Sequence, residues 1–241
     1  MSKQNIFDDE EFFEGFIKIS RDHSHAENLI EKPALFSLVP DLKGKKVLDL
    51  GCGVGEASIE CVRLGARQVI GTDISKKMLA VAREKNASEK IDYRNICMED
   101  VALLSGGFDL VISSMAIHFV EDFDLLLEDL YHLLKPGGVL LFSQDHPLKN
   151  CSLNTNQASL SQNNNIAYRQ EGKIISDWIV AGVIKYHRTF ATLINSLVSK
   201  GLMIDGLLEP VADQEIIAMY PRYEKCLDHS DYLIIRAHKA E

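Results

Sequence analysis

Hydrophobic positions in this chain follow two rhythms that alternate from residue 46 onward. Compact apolar runs of strand length stand at Val47-Leu48-Asp49-Leu50, Val69-Ile70-Gly71-Thr72-Asp73, Phe108-Asp109-Leu110-Val111-Ile112-Ser113-Ser114 and Val139-Leu140-Leu141-Phe142-Ser143, with a shorter strand at Ile91-Asp92-Tyr93-Arg94-Asn95-Ile96. Near-continuous runs of this kind suit strands covered on both faces. Between the first two, Ala57, Cys61 and Leu64 recur at i, i+4 and i+7, the inner stripe of a crossover helix. Phe123, Leu126, Leu127, Leu130 and Leu134 form a second stripe, stopped by Lys135-Pro136-Gly137-Gly138. The pattern predicts an α/β fold in which five parallel strands alternate with helices.

The rest of the chain surrounds that frame. Phe12, Phe13, Phe16 and Ile17 make one apolar face and Ala26, Leu29 and Ile30 another, with Pro33 and Pro40 before the first strand. Residues 1–40 are therefore expected to form a helical cap over the ligand edge of the sheet, with Arg21 and His23 in the polar break. Residues 149–166 are rich in Asn, Gln and Ser, which reads as a mobile lid or surface insertion. Val183 to Thr189 leads into a helix carrying Phe190, Leu193, Ile194 and Leu197, closed by Lys200-Gly201. Met203 to Pro210 and Asp231 to Ala237 supply two final strands, with room for only a short helix at Asp213 to Tyr220. A single domain spanning 1–241 is the simplest count.

Chemistry enters at Asp49-Leu50-Gly51-Cys52-Gly53-Val54-Gly55, where a buried strand runs into a glycine turn that opens a helix. A dinucleotide fingerprint would place its third glycine at position 56, but Glu56 is there and the spacing is GxGxG behind an acid. Carboxylates at that mouth repel a pyrophosphate and attract a ligand with an ammonium and a sulfonium. Asp73 ends the next strand 24 positions after Asp49, where an acid accepts hydrogen bonds from ribose hydroxyls.

Composition narrows the partners. A formal charge of −9 with no run of Lys and Arg works against nucleic acid and favours small molecules. No apolar run reaches the roughly 20 residues needed to span a bilayer, and Met1-Ser2-Lys3-Gln4-Asn5 lacks the apolar segment of a signal peptide, so no membrane association and a cytoplasmic location are expected. Cys52, Cys61, Cys97, Cys151 and Cys226 show no CxxC or metal-ligand spacing, so free thiols are expected, with no disulfide and no metal. Nothing in the sequence decides between monomer and homodimer.

Asp49 to Gly55 with Asp73 in register resembles the class I S-adenosylmethionine-dependent methyltransferases, with their first two motifs intact. The resemblance implies a Rossmann-like, seven-stranded, mostly parallel sheet of order 3-2-1-4-5-7-6, strand 7 antiparallel, with helices on both faces. It implies S-adenosyl-L-methionine as cofactor, held by Asp49, Gly51, Cys52, Gly53, Gly55, Asp73, Ile74, Met78, Met98, Glu99 and Ser113. The chain departs from the family at Cys97, which stands where an aspartate usually contacts the adenine. Adenine recognition then falls to the backbone around Met98, to Met98 packing on the purine and to Glu99, unless Glu99 and Asp100 serve as caps of the following helix.

Ser-Ser-Met-Ala-Ile-His at 113–118, Ser-Gln-Asp-His-Pro at 143–147, Lys-Tyr-His-Arg-Thr at 185–189 and Leu-Glu-Pro at 208–210 together resemble a bacterial, small-molecule-type group of that superfamily. Three histidines stand where a base would be useful: His118, His146 and His187. His118 as a core histidine and His146 as a support for the turn before Pro147 are the competing readings. Tyr186 and Arg188 are candidate substrate contacts, with His187 and Arg188 forming either an anion site at a helix start or an ion pair to Asp145 or Glu209. The leading reading is methyl transfer to O, N or S of a small, anionic metabolite. Methylation of RNA or protein is disfavoured by the acidic balance and, for nucleic-acid bases, by Ser113-Ser114-Met115-Ala116 where an Asn-Pro-Pro-Tyr would stand. A non-catalytic cofactor-binding protein is the third reading.

Overall fold

The computed structural model describes residues 4–149, 151, 167–226 and 230–241, with the main chain alone at 225 and 226. Its strands are β1 (Lys46–Leu50), β2 (Gln68–Asp73), β3 (Ile91–Asn95), β4 (Phe108–Ser113), β5 (Leu134–Asp145), β6 (Gly172–Trp178), β7 (Val180–His187), β8 (Leu202–Leu208) and β9 (Tyr232–Lys239). Its helices are α1 (Glu10–Ser20), α2 (Lys32–Ser37), α3 (Glu56–Arg63), α4 (Lys76–Lys85), α5 (Phe123–Leu133), α6 (Phe190–Ser199) and α7 (Gln214–Met219). A π-helical turn, Glu27–Glu31, precedes α2.

Seven strands form one sheet in the order β3-β2-β1-β4-β5-β9-β8. β1 to β5 pair in parallel, and β9 runs antiparallel to both β5 and β8. This is the expected order 3-2-1-4-5-7-6, with β8 and β9 as its sixth and seventh members. The family resemblance did not include β6 and β7, which make a separate antiparallel hairpin.

Strand alternation sorts the core into two layers. Leu48, Leu50, Val111, Phe142 and Ile235 meet Leu126, Leu127, Leu130 of α5 and Leu193, Leu197 of α6. On the other face Val47, Val69, Leu110, Ile112 and Leu141 meet Leu35 of α2 and Cys61 of α3. Asp49 lies between Leu48 and Leu50, so its side chain turns to the α3 face, where it is fully buried and accepts a hydrogen bond from Ser58 Oγ at 2.6 Å.

Helix starts show where a ligand can approach. Ser75, Asp122 and Thr189 cap α4, α5 and α6 with their side chains. The α3 start has Gly55 at φ 84° and no side-chain cap, so its first N–H groups face the glycine turn without a capping side chain. A Cβ on Gly55 would stand 2.2 Å from Tyr93 Oη and 2.8 Å from its Cζ. Gly55→Ala combines that overlap with an unfavourable φ and is expected to cost about 2–4 kcal/mol. A thermal unfolding midpoint within 2 °C of wild type would show that Tyr93 yields easily.

The amino-terminal segment and the hairpin meet above the sheet edge. Trp178 packs edge-on against Phe12 at 5.4 Å and Phe16 at 6.2 Å. Gln4 accepts a hydrogen bond from Ile184 N at 3.0 Å and donates one to the Gly182 carbonyl at 3.3 Å. Residues 149–166, expected as a lid, lie outside the described residues apart from Lys149 and Cys151.

Candidate active site

A cleft of about 1970 Å³ runs along the carboxyl edge of the parallel strands. That exceeds a usual small-molecule pocket of roughly 300–1,000 Å³ and leaves room for a cofactor and a second ligand.

At one end it is lined by Asp49, Gly51, Cys52, Gly53, Asp73, Ile74, Met78, Met98 and Glu99. Gly51 has φ 73°, and a Cβ there would come within 2.6 Å of both Ala116 Cβ and Met98 Cε, so only glycine lets the turn pass between them. Asp73 accepts from Gly53 N at 2.9 Å and from Ser75 N at 2.8 Å, which fixes its carboxylate at the mouth of the turn. Burial raises the Asp73 carboxyl to about 6, against those two backbone bonds. Burial also pushes Asp49 up to about 7, with Ser58 working against it. Asp49 Oδ1 is buried and has no hydrogen-bond partner among the described residues. The unsatisfied Asp49 oxygen suits the cationic amine of a ligand, the free N–H groups at the uncapped α3 start suit its carboxylate, and two hydroxyls can share the remaining lone pairs of Asp73. These residues fit S-adenosylmethionine.

Two residues of the expected cofactor set lie elsewhere. Gly55 does not line the cleft and serves the packing against Tyr93. Ser113 is buried inside the sheet, its hydroxyl donating to the Leu50 carbonyl at 2.8 Å, and Ser114 lines the cleft in its place. Cys97 Sγ lies 2.9 Å from Asp100 Oδ2, so the residue replacing the usual aspartate is itself tied to a carboxylate.

The other end is lined by His118, Asp145, Lys149, Trp178, Lys185, Tyr186 and Arg188. Asp145, at the end of β5, is 7% exposed and binds two ammonium groups, Lys149 Nζ at 2.8 Å and Lys185 Nζ at 2.6 Å. Burial alone would raise its carboxyl, but the charges around it outweigh burial and hold it well below the usual range. His118 Nε2 lies 4.0 Å from Asp145 Oδ2. Burial drives His118 down to about 3, so it is neutral and a weak base at neutral pH, and its Nδ1 has no partner among the described residues.

The expectation of three histidines around one pocket is corrected to one. His146 Nε2 bonds Glu209 Oε1 at 2.7 Å while its Nδ1 accepts from Leu148 N at 3.1 Å, and the ring supports the turn after β5. His187 Nε2 donates to the Tyr168 carbonyl at 2.8 Å. Neither lines the cleft. Arg188 does line it, but its guanidinium is bound by the carbonyls of Val120 and Glu121 and stacks over Phe123. The anion fork expected of Arg188 is thus partly spent on the main chain.

Sequence reasoning passed over Lys149, Lys185, Trp178 and Glu31. Lys185 shares the buried side of β7 with Val183 and His187, and two polar residues in three leave no apolar alternation there to mark the strand. Glu31 is buried beneath the cleft floor, where its Oε1 accepts from Ser114 Oγ at 3.0 Å and from Ser143 Oγ.

Comparison with known proteins agrees with this geometry. Residues 48–142 match the family model described as a methyltransferase domain. An uncharacterized protein of Haemophilus influenzae is 35% identical over 254 aligned positions, covering 100% of this chain and 99% of that one. The crystal structure of an S-adenosylmethionine-dependent methyltransferase from Mesorhizobium loti superposes with a TM-score of 0.78 and 32% identity, over 89% of this chain and 98% of its own. The ubiquinone biosynthesis O-methyltransferase of Sinorhizobium fredii is 36% identical over 101 residues, which is 41% of this chain and 40% of that enzyme's length. Among the described residues no helix is long and apolar enough to cross a membrane. With the glycine turn, the two carboxylates and the sheet order in place, the chain belongs to the class I S-adenosylmethionine-dependent methyltransferases.

Proposed function

We propose that this enzyme methylates a small anionic metabolite that reaches the cleft already ionised. The observation that carries the reading is that two ammonium groups, Lys149 and Lys185, share the carboxylate of Asp145 beside a neutral His118. Lys185 is nearly buried and Lys149 is more open, with Glu27 and Asp231 also acting on Lys149, so the ammonium donors gathered beside Asp145 suit a carboxylate, phenolate, thiolate or phosphate-bearing ligand.

Methyl transfer is an in-line displacement, and S-adenosylmethionine supplies the electrophilic methyl on a sulfonium when bound. The chain's part is to hold the acceptor in line and keep water out. Lys185 and Lys149 attract and orient the anion, Arg188 fixes the 120–121 turn beside it, and Tyr186 and Trp178 wall it. His118 offers a neutral ring nitrogen as a hydrogen-bonding group; with its acidity near 3 it is too weak a base to deprotonate a hydroxyl at neutral pH. An ionised acceptor removes the need for a base. The O-methyltransferase relative, matched over 41% of this chain, supports oxygen as the methylated atom. We include the amino-terminal 40 residues in this reading as a cap over the cofactor end.

The test is a methyl-labelled S-adenosylmethionine incubation with a metabolite extract, followed by mass spectrometry. Label is expected in a small product, an ester, ether or thioether that carries one negative charge fewer than the acceptor it came from, because the methyl is transferred onto the anion itself. Label appearing in the protein or RNA fraction instead would overturn the proposal.

A further inference from the structure

Glu31 comes from the amino-terminal segment, yet its carboxyl is buried between the ends of two sheet strands. Its Oε1 accepts hydrogen bonds from Ser114, just after β4, and from Ser143 in β5. Ser143 Oγ in turn accepts from Met115 N at 2.9 Å. Met115 has φ 50°, a left-handed conformation that costs a non-glycine residue strain and persists only where its surroundings impose it. The same segment continues into Ala116, whose Cβ stands against the Gly51 position of the cofactor turn. An unbroken set of contacts therefore runs from Glu31 through Ser143 and Met115 to the wall facing the glycine turn.

The local backbone is unusual as well. Glu31 closes the π-helical turn 27–31, in which Lys32 N bonds the Glu27 carbonyl. A π turn inserts one residue into helical phase and redirects the side chains that follow. Glu31 Oε2 is buried without a partner among the described residues, a cost that a purely structural glutamate would be expected to avoid. Burial raises its carboxyl to about 7.

We infer that Glu31 is a positioning residue for the cofactor site: it holds the strained Ser114-Met115-Ala116 wall in its binding conformation and so makes cofactor affinity depend on docking of the amino-terminal segment. The inference rests on the shown family and not on the identity of the acceptor.

Calorimetry with S-adenosylhomocysteine, a probe that needs no acceptor, tests it. Glu31→Ala is expected to lower affinity about tenfold or more, since the released wall must be reordered on binding, and Glu31→Gln, which keeps an accepting oxygen, is expected to recover to within about threefold of wild type. Leu35→Ala, a core change in α2 beside it, is expected to lower the unfolding temperature while leaving affinity within about twofold. Ser143→Ala breaks the same connection from the sheet side and is expected to match Glu31→Ala, which keeps the test open if the latter does not fold. The inference is overturned if Glu31→Ala or Ser143→Ala, folded at the assay temperature, binds within about twofold of wild type, or if Leu35→Ala loses affinity as they do.

Discussion

Asp73→Ala is expected to weaken binding of S-adenosylhomocysteine by about 2–4 kcal/mol, roughly thirtyfold to a thousandfold. The carboxylate offers two charge-assisted hydrogen bonds to vicinal hydroxyls, and it also braces Gly53 N and Ser75 N, so alanine removes both the ligand contact and the brace. Asp73→Asn keeps the shape and part of the bonding and should fall between the two. Calorimetry giving an unchanged dissociation constant for Asp73→Ala would show that the ribose does not lie there. The raised acidities add a pH signature. Asp73 at about 6 and Asp49 at about 7 bind hydroxyls and an ammonium best as anions, so affinity is expected to rise with pH across that interval and then level off. In the unliganded protein the sign reverses. Both groups keep protons that the unfolded chain loses near its ordinary value of 3.8, so each subtracts stability as pH climbs from about 4 to 7.

Asp145→Asn is expected to destabilise the protein by about 3–5 kcal/mol, a fall in unfolding temperature of about 6–20 °C. Asparagine fills the same space, so the loss is one of charge: Lys185, 9% exposed, would be left as a buried ammonium with no carboxylate, whereas the more open Lys149 can turn to solvent. Adding Lys185→Met to Asp145→Asn should therefore recover part of the loss, a coupling that a double-mutant cycle reads directly. Asp145 behaves opposite to Asp73 with pH. Its folded acidity lies well below 3.8, so its contribution is present above that value and is lost only as pH falls through the depressed one. An unfolding temperature for Asp145→Asn within 2 °C of wild type would show that the lysines are not held by charge.

The parts of the site legible in the sequence are those built by neighbours in the chain. The strand, glycine turn and helix from Lys46 to Arg63 are one local unit, and Asp73 ends the next strand, so spacing alone located them. Ser113 and Ser114 show how narrow the margin is: the first ends β4 with its hydroxyl held inside the sheet, and the second, one residue past the strand, reaches the cleft. The hairpin of β6 and β7 was hidden for two reasons. Its turn is made at Ile179, φ 62°, with none of the Asn-Gly or Asp-Gly signals that mark hairpins, and Lys185 interrupts the apolar alternation on its buried side. His146 follows the fifth strand and His187 precedes α6, as expected, but Glu209 and the Tyr168 carbonyl, remote in sequence, claim their rings. Glu31 follows Leu29 and Ile30 in what reads as an ordinary apolar stripe, and the π turn that redirects it leaves no trace in periodicity.

Trp178 is the chain's single tryptophan, and it lies at the end of the cleft lined by Asp145 and Lys185, between Phe12 and Phe16 and 5.3 Å from the Lys185 ammonium. Intrinsic indole emission from this protein therefore comes from one known place. An anion that draws Lys185 away from the ring changes the field at that indole, while the adenosine end of the cleft contains no tryptophan at all. The enzyme thus has a built-in optical reporter for anions bound beside Lys185, by which a library of unlabelled metabolites can be screened without any methyl transfer taking place.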